Sequence, residues 1–437
     1  MPVTLPASRP PSPTSRPRAD RAAAASSFAQ LGLPAALVAV LGQRGIVTPL
    51  PIQAATLPDA LAGRDILGQA ETGSGKTLAF GLPLLTRLAA AAAAGGAGKR
   101  TRQPRALVLV PTRELARQIH GDLAPLASAV GLRLLAVYGG APLRSQIQAL
   151  RRGIDVVVAT PGRLTDLLNR GACSLDMVAV AVLDEADHMA DLGFLPAVTW
   201  LLDRVPRGGQ RLLFSATLDH DIDSLARRYL ADPVRHTVAP AAAGVGRRMD
   251  HRFLSVAATD KVAVAAELAA RPGRVLVFVR TKHGATRLAR QLALAGVRAG
   301  ALHGNLAQNA RERTLAAFAS GATPVLVATD IAARGLHVDG VDLVVHFDPP
   351  DGHKAYLHRS GRTARAGAAG SVVTLVLPGQ AAEVAKLSQR AGVTNAAATL
   401  PGRSGSGSGS GAPPPLPSRP GSRHPRHRSR RRRSAAA

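Results

Sequence analysis

Met177-Val178-Ala179-Val180-Ala181-Val182-Leu183-Asp184-Glu185-Ala186-Asp187 is an apolar run that stops on a cluster of carboxylates. A short, valine-rich run of this kind predicts a β-strand buried on both faces, as in a parallel sheet. A strand ending at two adjacent carboxylates can deliver one to a divalent cation and the other to an attacking water, the two requirements of nucleoside triphosphate hydrolysis. Alone, an acidic cluster after a strand is usually a solvated turn or a helix start. Upstream, however, Ala70-Glu71-Thr72-Gly73-Ser74-Gly75-Lys76-Thr77 has the make-up of a phosphate-binding loop. Its glycines let backbone N–H groups approach phosphates, Lys76 answers the β/γ charge, and Thr77 offers a hydroxyl to Mg²⁺. The strict pattern begins with glycine where this chain has Ala70. The context compensates, because an apolar strand (Asp65 to Gly68) precedes the loop and a helical pattern (Leu78 to Ala90) follows it.

Working outward, short apolar runs alternate with amphipathic stretches: Asp65 to Gly68, Ala106 to Val110, Leu134 to Tyr138, Asp155 to Ala159, Val178 to Leu183 and Arg211 to Phe214. That alternation predicts a doubly wound α/β sheet. A spacer near Ala239 to Gly246 precedes a second set: Arg274 to Val279, Ala299 to His303, Val325 to Thr329, Leu343 to Phe347 and Ser371 to Leu377. The expected organisation is a disordered segment at 1–25, an α/β domain at 26–238, a linker at 239–248, a second α/β domain at 249–400 and a disordered basic tail at 401–437. No internal sequence repeat is visible, so any kinship between the domains would be structural.

At 437 residues and 46% hydrophobic content the chain can build two cores. A net charge of +27 points to an anionic polymer as partner. With aromatic residues at only 3%, base stacking is not expected to dominate, and phosphate contacts should. The single cysteine, Cys173, excludes an internal disulfide and a cysteine-based zinc site, and fits a reducing, cytoplasmic compartment. Ala22 to Gln43 lacks charge and follows several arginines, yet Ser26, Ser27, Gln30, Gly32 and Pro34 interrupt it as a spanning helix. No other candidate span is expected, and the chain reads as soluble and monomeric.

Gly45-Ile46-Val47-Thr48-Pro49-Leu50-Pro51-Ile52-Gln53, with Phe28 upstream, would ordinarily be just a turn. Yet a glutamine amide can donate to and accept from the N6/N7 edge of adenine at once, and a phenyl ring can stack on the base. With this segment the order of signatures resembles the DEAD-box ATP-dependent RNA helicases of superfamily 2, of the bacterial type with a basic C-terminal tail. The signatures in the first half are Gly45 to Gln53, Ala70 to Thr77, Pro111-Thr112-Arg113-Glu114-Leu115-Ala116, Gly139-Gly140, Thr160-Pro161-Gly162-Arg163, Asp184 to Asp187 and Ser215-Ala216-Thr217. The second half continues with Val277-Phe278-Val279, Gln308 to Arg311, Thr329 to Gly335 and His358 to Gly367. The likeness covers roughly residues 28 to 380.

This resemblance implies two RecA-like parallel-sheet domains in tandem that bind ATP and Mg²⁺ and remodel RNA. By it, Phe28 and Gln53 read adenine, Thr72, Gly73, Ser74, Gly75, Lys76 and Thr77 hold the phosphates, and Thr77 and Asp184 hold Mg²⁺, partly through water. Glu185 orients and deprotonates the attacking water, and Arg362 and Arg365 reach the γ-phosphate from the second domain. Asp187, Ser215, Thr217 and His358 couple hydrolysis to RNA. RNA is gripped through its backbone, without sequence readout, by Pro111, Thr112, Arg113, Gly139, Gly140, Thr160, Pro161, Gly162, Arg163, Gln308, Arg311, Thr329 and Arg334. Ribosomal precursors and the RNA-decay machinery are both open as settings. Two positions depart from the pattern: His337 stands where the family usually has aspartate near the nucleotide sugar, and Ala364 stands where it has glycine. The latter matters if that position needs positive φ. An RNA clamp that hydrolyses ATP poorly, and a DNA helicase or other P-loop ATPase, are the competing readings.

Overall fold

The computed structural model describes residues 27–71, 73–94, 103–238, 249–333, 340–364 and 370–393, and the backbone of 396–399. The expected tails at 1–25 and 401–437 and the linker at 239–248 lie outside the described residues.

The first lobe is a seven-stranded parallel sheet of β1 (Ile66–Gln69), β2 (Ala106–Leu109), β3 (Leu134–Val137), β4 (Val156–Ala159), β5 (Val180–Leu183), β6 (Gln210–Ser215) and β7 (Val234–Thr237), in the order β3-β4-β2-β5-β6-β1-β7. The second contains β8 (Met249–Ser255), β9 (Arg274–Phe278), β10 (Ala299–Leu302), β11 (Val325–Ala328), β12 (Val341–His346), β13 (Gly370–Val376) and β14 (Ala396–Thr399), in the order β10-β11-β9-β12-β13-β8-β14. Counted from the first strand of each lobe, the two orders are the same. The lobes therefore share one topology although their sequences show no repeat.

Helices cover both faces of each sheet, which is why β2, β4 and β5 consist of apolar residues throughout and are wholly buried. Alternate residues feed opposite layers: Val108, Val158 and Val182 join Phe80 and Phe214 on one side, while Leu107, Val157 and Ala181 join Met189 and Leu201 on the other. Each such side chain contributes about 1.5–3 kcal/mol relative to exposure. Cys173 is buried in the second of these layers, and burial pushes its thiol up to about 11.

Sequence reading missed β7, β8 and β14. β7 (Val-Arg-His-Thr) is a half-exposed edge strand, β8 opens with polar residues, and β14 is mostly alanine, a helix former. One further expectation is corrected. The helix Lys76–Ala94, of 19 residues with a mean hydropathy of 1.5, is long and apolar enough to cross a membrane by length and composition. It follows the phosphate-binding loop and buries Phe80, Leu82, Leu84, Leu85 and Leu88 in the core of the first lobe, so its apolarity is that of a core helix.

Candidate active site

The signatures fall at the carboxyl ends of the strands, where a parallel sheet presents backbone groups and helix N-termini together. After β1, Gly73 and Gly75 take φ of +85° and +92°, a conformation that side chains disfavour. Lys76 is buried and its Nζ donates to the Ala70 carbonyl at 3.0 Å, while the Ser74 hydroxyl donates to the Glu71 carbonyl at 2.7 Å. Thr72 lies outside the described residues. Gln53 is buried against this loop. Its Nε2 donates to the Gly75 carbonyl at 2.9 Å and its Oε1 accepts the Leu50 N–H at 2.9 Å. An amide has two hydrogens and two lone pairs to place, so one of each stays available to a base edge.

The acidic corner follows β5. Glu185 adopts φ 52° and ψ 50°, left-handed geometry that costs a non-glycine residue about 1–2 kcal/mol. The turn is held by its N–H, which donates to Asp184 Oδ1 at 3.0 Å. The two carboxylates behave in opposite ways. Burial pushes Asp184 up to about 7, against the pull of the Lys76 charge. Burial acts on Glu185 in the same direction but is outweighed by a hydrogen bond and charge from His188 and by the charges of Lys76 and Arg362, which carry it down to about 2. Neighbouring groups pushed apart in this way are equipped for different tasks.

Asp187 leads away from the cavity. Its Oδ2 accepts from the backbone N–H of Thr217 at 3.0 Å and from the Thr217 hydroxyl at 3.1 Å, and its own N–H donates to Ser215 Oγ at 3.3 Å. The strand ends of β5 and β6 are thus tied together.

A cavity of about 580 Å³ brings together Gln53, Gly73, Gly75, Lys76, Thr77, Asp184 and Glu185. Its far wall holds a pair that sequence reading missed: Arg44 donates to the Asp122 carbonyl at 2.8 Å and to Asp122 Oδ1 at 3.1 Å. Only their distance in sequence hid them. Phe28 requires a correction. It is 2% exposed and packed among Leu33, Leu37 and Leu41, so in this structure its ring offers no face to a base. An aromatic ring followed by apolar helix residues is drawn into the core first.

From the second lobe, Arg362 is buried and its charge acts on Glu185. Arg359 is committed elsewhere: Nε and Nη2 clasp the Asp330 carboxylate at 2.6 Å each, and Nη1 donates to the Asp348 carbonyl at 2.7 Å. His358 is half-buried on the helix His353–Ser360. Ala364 has φ 55°, so the position does call for the glycine the pattern expects. Arg334, His337 and Arg365 lie outside the described residues.

On the face assigned to RNA, the Thr112 hydroxyl caps the helix Arg113–Ala129 by accepting the Leu115 N–H at 3.2 Å. Arg113 is exposed and lies against Gly139 and Gly140, where a Cβ on Gly140 would come within 2.6 Å of its Nη1. Its Nη1 also donates to Gln308 Oε1 of the second lobe at 3.3 Å. Pro161 starts the helix Pro161–Asn169 beside half-buried Thr160 and exposed Gly162, and Arg163 donates to the Ala141 carbonyl at 3.0 Å. Pro111 and Thr329 are buried. Arg311 departs from the expected role. It is 8% exposed, its Nε pairs with Glu114 of the first lobe at 2.9 Å, and its other nitrogens face the carbonyls of His303 and Ala332. In this structure it ties the lobes together instead of facing a phosphate. Lys354 Nζ and Asp219 Oδ2, at 2.7 Å, form a further tie.

Comparison with known proteins agrees with this geometry. Residues 50–225 match the DEAD/DEAH box helicase model and residues 260–367 the helicase conserved C-terminal domain. The ATP-dependent RNA helicase RhlB of Sodalis glossinidius (strain morsitans) is 42% identical over 352 residues, covering 80% of this chain and 84% of that protein. The mitochondrial DEAD-box ATP-dependent RNA helicase 9 of Arabidopsis thaliana is 42% identical over 355 residues, 80% of this chain. The chain spans about half the length of several such relatives, 57% of the Arabidopsis protein and 45% of a chloroplastic helicase 3A from Zea mays. Among solved structures, S. cerevisiae Dbp5 bound to RNA and ADP BeF3 superposes with a TM-score of 0.75 at 27% identity, over 86% of this chain and 96% of that one. Two RecA-like sheets, a phosphate loop after β1, an acidic corner after β5 and these matches together place the chain in the DEAD-box helicase family.

Proposed function

We propose that this chain is an RNA-stimulated ATPase that locally unwinds or remodels RNA duplexes and ribonucleoproteins. The observation that carries this reading is the cavity in which Asp184 and Glu185, at the end of β5, face Gly73, Gly75, Lys76 and Thr77 of the phosphate-binding loop. A carboxylate so placed can orient a water and take its proton, and the charge of Arg362 reaches it from the second lobe. Arginines supplied in this way are worth ~10³ to 10⁵ in rate in related phosphoryl transfers.

The cavity suits a nucleoside triphosphate. Glycines at positive φ present backbone N–H groups, Lys76 is released from a single carbonyl when phosphate offers a better acceptor, and Gln53 keeps a donor and an acceptor for adenine. The donor set also fits Mg²⁺. Mg²⁺ arrives on phosphates and keeps most of its waters, so Asp184 and Thr77 would suffice as its protein contacts. Bound there, Mg²⁺ would neutralise charge developing on the phosphates. Asp184, pushed up by burial, would gain a cation that keeps it ionised.

RNA is the proposed partner, with backbone contacts through Arg113, Arg163 and the glycines beside them. The excess of positive charge and the RNA held by the Dbp5 neighbour support it. A monomer working in the cytoplasm, on ribosomal precursors or with the decay machinery, is the proposed setting.

Steady-state ATPase assays with and without single-stranded RNA test the reading. RNA-stimulated turnover is expected. Retained RNA binding with no turnover would support a clamp, and preferential stimulation by DNA would overturn RNA as the partner.

A further inference from the structure

His188 is hydrogen-bonded to Glu185, and no part of the proposed reaction uses it. It lies one turn after Glu185, on the short helix Ala186–Asp191, with both side chains 6% exposed. Its Nδ1 stands 3.1 Å from Glu185 Oε2. For Glu185 to serve as a base its carboxylate must accept, and in that arrangement Nδ1 carries the hydrogen and donates. The other ring nitrogen, Nε2, is buried with no hydrogen-bond partner. A buried polar atom without a partner costs about 1–3 kcal/mol. A leucine or methionine would fill the same space beside Met189 without that cost, so packing alone gives no reason for an imidazole.

The contact to Glu185 gives one. Glu185 sits in left-handed backbone geometry, where the chain does not fix the carboxylate by itself. Lys76 and Arg362 draw it electrostatically, and His188 adds a directional hydrogen bond at 3.1 Å. We propose that His188 is a positioning residue for hydrolysis. Its Nδ1–H aims the Glu185 carboxylate at the water-binding side of the cavity and leaves Oε1 to accept the water's proton. No bond of the substrate changes at His188, and it neither gains nor loses a proton in the step.

This inference rests on the proposed ATPase reading, and the test separates the two. Turnover by the unmodified chain with single-stranded RNA establishes the reading first, and absence of turnover sinks that reading itself. His188→Leu should then lower kcat by about 10- to 100-fold, the scale at which outer-shell partners act. KM for ATP, and equilibrium binding of ADP and of a single-stranded RNA, should stay within about twofold. His188→Gln, which offers an N–H at a similar reach, should recover most of kcat, and melting curves should show both variants folded. Unchanged kcat in the folded leucine variant overturns the proposal. So does a loss of ADP or RNA binding in parallel with kcat, or a glutamine variant no better than leucine, since either outcome marks His188 as merely structural.

Discussion

The two lobes are built on one strand order and yet treat the same two residue types in opposite ways. In the first, the helix after β1 opens with Lys76 and β5 runs into Asp184. In the second, the corresponding helix opens with Lys261 and β12 leads to Asp348. Lys261 Nζ and Asp348 Oδ1 are joined at 2.9 Å, and Asp348 also accepts the Arg280 N–H, so cation and anion satisfy each other. Lys76 instead donates to a carbonyl, and Asp184 is left pushed up to about 7 by burial. No glycine loop follows β8, where the chain reads Val256-Ala257-Ala258-Thr259-Asp260. The scaffold thus makes the corner available, and the residues decide whether it is closed with an internal ion pair or left open beside the glycine loop.

The comparison is broken most directly at Glu185, which has no acidic counterpart beside Asp348, where Phe347 and Pro349 stand. Glu185→Gln should lower kcat by about 10²- to 10⁴-fold while ADP and RNA still bind, as measured by single-turnover hydrolysis and fluorescence titration. Retained hydrolysis would remove Glu185 from the chemistry. Next come the paired lysines. Lys76→Ala should abolish ADP binding with little change in melting temperature, whereas Lys261→Ala should leave KM for ATP intact and lower stability by about 1–2 kcal/mol. If Lys261→Ala impaired nucleotide binding instead, the second lobe would not be the closed copy described above.

Acid should sharpen the contrast further. His346 of β12 is wholly buried, its Nδ1 lies 3.0 Å from Thr374 Oγ1, and burial together with the Arg359 charge holds it well below its usual 6.5. A depressed folded pKa means the stabilisation is fully present above 6.5 and is lost as pH falls below it, because the unfolded chain then binds the proton and the folded one does not. The slope approaches about 1.4 kcal/mol per pH unit for one such group. Denaturant melts between pH 7 and pH 5 should show it, and His346→Asn should flatten it; an equal slope in that variant would assign the acid sensitivity to other groups. The smallest effect is expected at Ala364, where glycine should raise stability by up to ~1 kcal/mol by relieving φ 55°. A lowered melting temperature would show that the buried methyl group outweighs the strain.

Much of this was readable in advance because each chemical signature follows a strand whose valines and leucines announce it. Gly73, Gly75, Lys76, Thr77, Asp184 and Glu185 line one cavity and Asp187 meets Ser215 and Thr217, since a parallel sheet delivers its strand ends to one edge. What escaped reading lies where local pattern and tertiary context disagree. β8 and β14 look polar or helical until a partner strand claims their backbone. Phe28 carries the right ring for stacking on a base, but the core of the first lobe holds it. Arg311 has the charge for RNA, but Glu114, far away in sequence, takes that charge. The wall pair Arg44 and Asp122 depends on side-chain placement that no spacing rule conveys.

The lone sulfhydryl of Cys173 has a practical corollary. Buried and pushed up to about 11, it is a poor nucleophile at neutral pH, so the native chain is nearly silent toward maleimide dyes. Met177 in the first lobe and Leu294 in the second are 49% and 81% exposed, so each can be changed to cysteine without opening a core. A donor and an acceptor fluorophore at those two places would turn the molecule into its own ruler, reporting turnover by turnover how far the halves travel.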